Sequence, residues 1–159
     1  GAVLQMLAHG FVVVGLFFVA EIIGRRYQTR QIAELGGIRA QSPQFTSLFL
    51  LLVLASVALP STFNFVGEFT VLYSLFQVNM AFAIAGGLTI ILGAYYMLRM
   101  FQHVMLGETN AKPFAEVNWN EKLVLLAIVA VLFFFGLYSK PITDLITPSI
   151  ENILTEINR

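Results

Sequence analysis

Leu59-Pro60-Ser61-Thr62-Phe63-Asn64-Phe65-Val66-Gly67-Glu68-Phe69 lies inside an apolar run, residues 45–77, and its reading decides how the chain folds. The run is 33 residues long. As one continuous helix it would extend about 50 Å at ~1.5 Å per residue, well beyond a hydrocarbon core of roughly 30 Å. Pro60 resolves the mismatch, because it has no backbone donor and clashes with the preceding turn, so a helix breaks there. Ser61, Thr62 and Asn64 are expected to satisfy the freed backbone groups and to cap a second half-helix. The run therefore reads as two half-helices with an irregular joint near residues 60–63. If the second half starts near Asn64, Glu68 falls about one turn in, where the positive helix end favours a carboxylate. A charged residue at that depth costs at least about 2.5–3.5 kcal/mol on insertion scales, so it should face protein or a wet cavity. Two uses stand against each other: a titrating group beside a broken helix, as in ion-translocating proteins, or a salt-bridged brace between helices. The joint favours the first.

Working outward from this segment, residues 4–23 form a second run long enough to span, ending at Gly24-Arg25-Arg26. Residues 80–105 form a third and residues 123–138 a fourth, with Trp119 placed as an interface anchor. Beyond Pro141, Ile142, Leu145, Ile146, Ile150, Ile153, Leu154 and Ile157 recur at helical spacing. That stripe is amphipathic and too polar to span, and Asp144, Glu151 and Glu156 would repel anionic lipid, so a surface helix packed on protein is expected. The predicted fold is an all-α membrane protein of four transmembrane helices, the second broken near Pro60, with a C-terminal amphipathic helix. Arg25, Arg26, Arg30 and Arg39 follow the first span, and Arg99, Lys112 and Lys122 surround the loop before the fourth. Only Lys140 and Arg159 lie on the opposite side. The positive-inside rule then makes those two loops cytoplasmic. The chain opens directly into an apolar helix at Gly1-Ala2-Val3-Leu4, with neither an initiator Met nor a basic leader, and reads as a piece of a longer protein.

Composition agrees with the spans. Hydrophobic residues make up 58% of the chain and charged residues 11%, against about 25% charged in soluble domains. Nine Lys+Arg balance nine Asp+Glu, so nothing draws the chain to nucleic acid. The absence of Cys excludes disulfides, thiolate metal sites and a Cys nucleophile, and two His residues alone build no metal centre. No glycine loop of the dinucleotide or Walker type is present.

Other polar residues in the spans have both a functional and a structural reading. His9 follows Gln5 by one turn in the first span, and its unperturbed pKa of about 6.5 suits a proton relay; a quiet hydrogen bond between helices is the other use. Thr70, Tyr73, Ser74 and Gln77 form a stripe on the face opposite Glu68, expected to hydrogen-bond neighbouring helices. In the third span Gly86, Thr89, Gly93, Tyr96, Met100 and His103 share a face, and the small residues suggest close helix contact. His103 and Arg99 read as interfacial snorkelers, and Glu21 with Arg25 as an i, i+4 ion pair.

Three stretches carry a family resemblance: Gln5-Met6-Leu7-Ala8-His9-Gly10, Thr29-Arg30 with Leu35-Gly36-Gly37, and above all the segment from Leu59 to Phe69. They resemble the NADH-quinone oxidoreductase subunit M (mitochondrial chain 4) family, the antiporter-like membrane subunits of respiratory complex I. The resemblance implies that residues 1–159 are the C-terminal part of a proton-translocating, antiporter-like helix bundle of about fourteen helices, these being the last four. It implies proton pumping coupled to electron transfer from NADH to quinone, with Glu68 and His9 carrying protons. It also implies no redox centre in this chain, since NAD, FMN, iron–sulfur clusters and quinone belong to partner subunits. The implied setting is a bacterial inner membrane, or alternatively the mitochondrial inner membrane, among the other membrane subunits of complex I, with lipid and protons as partners. The family's further charged groups, a Glu and two Lys of earlier helices, have no counterpart here. Ser61-Thr62-Phe63 stands where the family often has Gly-Thr-Gly, so a stiffer joint is expected. A subunit of a multisubunit cation/proton antiporter is a competing reading, although such subunits usually carry Lys at Glu68. A purely structural scaffold is another.

Overall fold

Among the described residues every element is a helix or 3-10 turn, and the apolar runs set their limits. The computed structural model describes residues 1–108 and 113–157, the side chain of residue 157 excepted. Lys112 and Arg159, two of the charges behind the expected orientation, lie outside the described residues. Helix α1 spans Ala2–Tyr27, and a 3-10 turn at Ile32–Glu34 and a short α2, Ile38–Gln41, lead into α3, Pro43–Ser56. There follow α4, Phe63–Val78; α5, Met80–Met105; α6, Trp119–Leu137; and α7, Lys140–Ile157.

Three of these, α1, α5 and α6, are long and apolar enough to cross a membrane. Helix α3 has 14 residues and α4 has 16, or about 21 and 24 Å at ~1.5 Å per residue, so neither covers the ~30 Å core alone. The expected second span, residues 45–77, falls on these two helices in series, divided next to the proline.

The stop itself is made before Pro60. Leu59 N–H donates to Leu54 O at 3.0 Å and Ala58 N–H to Ala55 O at 3.3 Å. Ala58 sits at φ 54°. This is the Schellman arrangement, with Ala where Gly would be strain-free; a left-handed non-Gly residue costs roughly 1–2 kcal/mol. Ser61 is also left-handed, at φ 82°. Pro60 then ensures that no helix continues, since it could not donate to Ser56. The expected side-chain caps on α4 are not made. Thr62 is the N-cap but forms no cap bond, and its hydroxyl donates to Leu59 O at 2.7 Å instead. The joint is buttressed by packing: Phe63 is fully buried with its ring 5.6 Å from Phe135 of α6. A Cβ at Gly136 would lie 2.6 Å from Thr62 Cα, so α6 touches the joint only because residue 136 is glycine.

The charged end is clamped by residues far apart in sequence. Arg26 Nη2 meets Glu121 Oε2 at 2.6 Å, and Arg25 Nη2 meets Glu121 Oε1 at 3.4 Å. The end of α1 and the start of α6 therefore lie on one side, as the positive charges require. Glu121 also completes a capping box with Asn118 at the start of α6. Phe114, buried, has its ring 5.3 Å from Tyr27 and 5.4 Å from Phe45, with the Arg26 guanidinium 4.9 Å above it. Two residues on, Glu116 caps the start of α3, accepting from the Ser42 hydroxyl and from Phe45 N–H at 3.2 Å and Gln44 N–H at 3.4 Å. Burial pushes the Glu116 carboxyl up, but these bonds and one from Val117 N–H outweigh it and hold it below the ordinary carboxylate range. The expected pair Glu21–Arg25 is present at 3.6 Å, and Glu21 also holds Arg30 at 3.0 Å.

At the other end α4 and α5 form a hairpin through Asn79, whose side chain accepts from Ala81 N–H at 2.8 Å. Gly86 gives the expected close contact, 3.0 Å from Leu72 Cδ2 to a Cβ built there. Along most of its length α5 is unburied, and only Phe101, Val104 and Met105 at its far end enter the core. The amphipathic α7 leans on the bundle through Ile142 and Ile146. Its Leu145, Ile153 and Leu154 stay exposed.

Candidate functional site

Helices α1 and α4 approach most closely at Gly67, where an added Cβ would lie 2.8 Å from Gln5 Cα. The glycine thus brings the next residue, Glu68, against α1. Gln5 Nε2 donates to Glu68 Oε1 at 3.2 Å, a contact across 63 positions of sequence. His9 stands one turn beyond Gln5 on α1, and Asn64 one turn before Glu68 on α4. His9, Asn64 and Glu68 line one cavity of about 270 Å³, bordered also by Thr89, Gly93 and Tyr96 of α5 and by Ser56 at the end of α3. The helix break therefore opens onto the same space as the carboxylate.

The two candidate residues differ in setting. Glu68 is half-buried, and its Oε2 is buried without a protein partner among the described residues. His9 borders the cavity from an exposed position of α1. Both stand on the cavity wall, while the ion pairs seen among the described residues, Arg25, Arg26 and Arg30 with Glu21 and Glu121, cluster at the opposite end of α1.

Some expectations are corrected. Helix α4 begins at Phe63, which makes Glu68 its sixth residue and puts it beyond the first turn, where the helix-end field has largely decayed. The hydroxyls of the Thr70–Ser74 stripe bond within their own helix, Thr70 to Val66 O at 2.6 Å and Ser74 to Thr70 O at 2.9 Å, while Tyr73 is exposed. Gly93 lines the cavity instead of a helix contact. Gln5, in sequence only a neighbour of His9, and Asn64, expected as a cap, both belong to the site. Gly67 directly before Glu68 was the available signal: a small residue next to an intramembrane acid marks a close helix approach.

Among the described residues no group of three or more His, Cys, Asp or Glu is placed to hold a metal ion. The arrangement suits one chemistry. A carboxylate with a free oxygen and an imidazole border a space roomy enough for several waters, at ~30 Å³ of liquid volume each.

Residues 1–93 match the family model described as "NADH:quinone oxidoreductase/Mrp antiporter, TM". NADH-quinone oxidoreductase subunit M of Rickettsia typhi is 38% identical over 157 residues, 97% of this chain and 32% of the relative. The subunit M of Rhodobacter capsulatus is 36% identical over 157 residues, covering 97% of this chain and 31% of that protein. That of Mycobacterium tuberculosis is 34% identical over 166 residues, covering 100% of this chain and 29% of its own length. The chain thus spans about a third of the length of the curated relatives it matches.

Proposed function

The chain belongs to the NADH:quinone oxidoreductase/Mrp antiporter transmembrane family, and from that premise we propose that it is the C-terminal part of a subunit that moves protons across a membrane for NADH:quinone oxidoreductase. Its setting is a bacterial inner membrane, alongside the other membrane subunits of the complex. It carries no redox group of its own, and the electron carriers NAD, FMN, iron–sulfur clusters and quinone sit in partner subunits. The observation that supports this best is Glu68, held by Gln5 against α1 on a cavity that also meets His9 and the helix break. In the proposed step an N–H bond of the His9 imidazolium breaks and an O–H bond forms at Glu68, directly or through water. Glu68 passes from anion to neutral acid and later returns the proton to the other side. The family description itself supports a second reading, a subunit of a cation/proton antiporter running without electron transfer.

The test is Glu68→Gln in the full-length subunit within the assembled complex, read as proton uptake per NADH oxidised in reconstituted vesicles. The amide keeps size and hydrogen bonding but cannot ionise. Assembly should persist while coupled turnover drops by about 100-fold or more, the scale of a lost acid–base group. Glu68→Asp should retain part of the activity, and His9→Ala should be milder because water can stand in for the ring. Normal stoichiometry with Glu68→Gln would leave only a structural role. Proton flux that persists without NADH, driven by a cation gradient, would favour the antiporter reading.

A further inference from the structure

We propose that Asn64 is a positioning residue for Glu68, anchoring through its Oδ1 a water that contacts the free carboxyl oxygen, Oε2; the inference rests on the reading of Glu68 as the proton carrier. Asn64 is 1% exposed, and its Oδ1 has no protein partner among the described residues. A buried acceptor without a partner is costly and uncommon. Asn64 lies four residues before Glu68, so the two stand on one face of α4. Both line the cavity of about 270 Å³, and Glu68 Oε2 is the second unpartnered oxygen on its wall.

A buried water needs two to four polar partners, and Val12, Val13, Leu16, Val57, Ile90 and Met97 on this wall offer none. The Thr89 hydroxyl is already committed as a donor to Gly86 O at 2.7 Å. Among the lining side chains, Asn64 Oδ1 and Glu68 Oε2 are the buried oxygens without a partner among the described residues, so a water is best held between them. An amide oxygen only accepts, and this fixes the geometry in both protonation states. With Glu68 ionised, the water donates one hydrogen to Oδ1 and the other to Oε2. With Glu68 protonated, the water accepts the carboxyl O–H and still donates to Oδ1. The anchor stays while the proton comes and goes.

The experiment uses the assembled, full-length complex and infrared difference spectra of the Glu68 carboxyl stretch, assigned by its loss in Glu68→Gln. Asn64→Leu keeps the branched shape and removes the acceptor. The band should move to higher frequency and coupled proton uptake should slow about fivefold, the factor one neutral hydrogen bond is worth. Asn64→Ser, which keeps an acceptor within reach of the same water, should restore part of both. If Asn64→Leu does not assemble, Asn64→Ala takes its place with the same expected shift. An unmoved band in the acceptor-less variant, or Asn64→Ser behaving as that variant does, would overturn the assignment. If Glu68→Gln removes the band yet pumps normally, the proton-carrier reading fails on its own, and the band position still decides whether Asn64 solvates the carboxyl.

Discussion

Gly67→Ala is the sharpest mechanical perturbation of the site. The new methyl would sit 2.8 Å from Gln5 Cα and N, where ordinary carbon contacts need about 3.5–4.0 Å. Neither neighbour is the end of a flexible side chain, so α1 and α4 must separate by roughly 1 Å. Overpacking of this kind costs about 1–3 kcal/mol. The same shift would stretch the Gln5–Glu68 bond, now 3.2 Å, beyond the range of a hydrogen bond. Gly10→Ala on the same helix is the control, because nothing in this chain lies within 4 Å of a Cβ there. The assay is thermal unfolding of the purified full-length complex together with proton uptake per NADH in vesicles. Gly67→Ala should melt lower than wild type and pump more slowly, while Gly10→Ala should do neither. Equal melting and equal pumping for Gly67→Ala and wild type would refute the claim that this glycine sets the distance between the carboxylate and α1.

Two further outcomes concern the charged end. Glu121→Ala removes the partner of Arg26, whose side chain is only 18% exposed, together with the capping box of α6; a loss of about 1–3 kcal/mol is expected, against about 0.5 kcal/mol or less for the exposed Arg25→Ala, both checked by thermal melts. Glu116 has a depressed pKa, so its contribution is fully present above the ordinary carboxylate value and is lost as pH falls through the lower native one. Between about pH 5 and 3 amide hydrogen exchange should rise at the start of α3 in wild type, whereas Glu116→Gln should exchange fast already at pH 7 and show no such acid step.

The division of residues 45–77 was legible because Pro60 is a local signal and the length mismatch is arithmetic. What stopped α3 was less visible: Ala58 takes a left-handed conformation that sequence rules reserve for Gly or Asn, and Ser42-Pro43, an N-cap followed by proline at the first helical position, went unused as a start signal. Glu68 was legible as an acid out of place in lipid. Its partner Gln5 was not, because helical periodicity shows which residues share a face and says nothing about which face of another helix they meet. The same holds for Glu116 and Glu121. Each makes its main contacts with residues more than 70 positions away, although Asn118 and Glu121 alone spelled a capping box.

Helix α5 is secured at its two ends, by the Asn79 hairpin and by Phe101, Val104 and Met105. Between them Gly93 and Ala94 face the cavity instead of a packed side chain. Mechanically it is a beam on two supports with a compliant middle. Such a beam bows before it slides, and bowing at Gly93 changes the distance from Tyr96 and Thr89 to the carboxylate while leaving both supports seated. The load that bends it must come from its other side, where Leu88, Ile91, Leu92 and Tyr95 are exposed. A neighbour packed on that outer face would act on the bore of the cavity through this one helix.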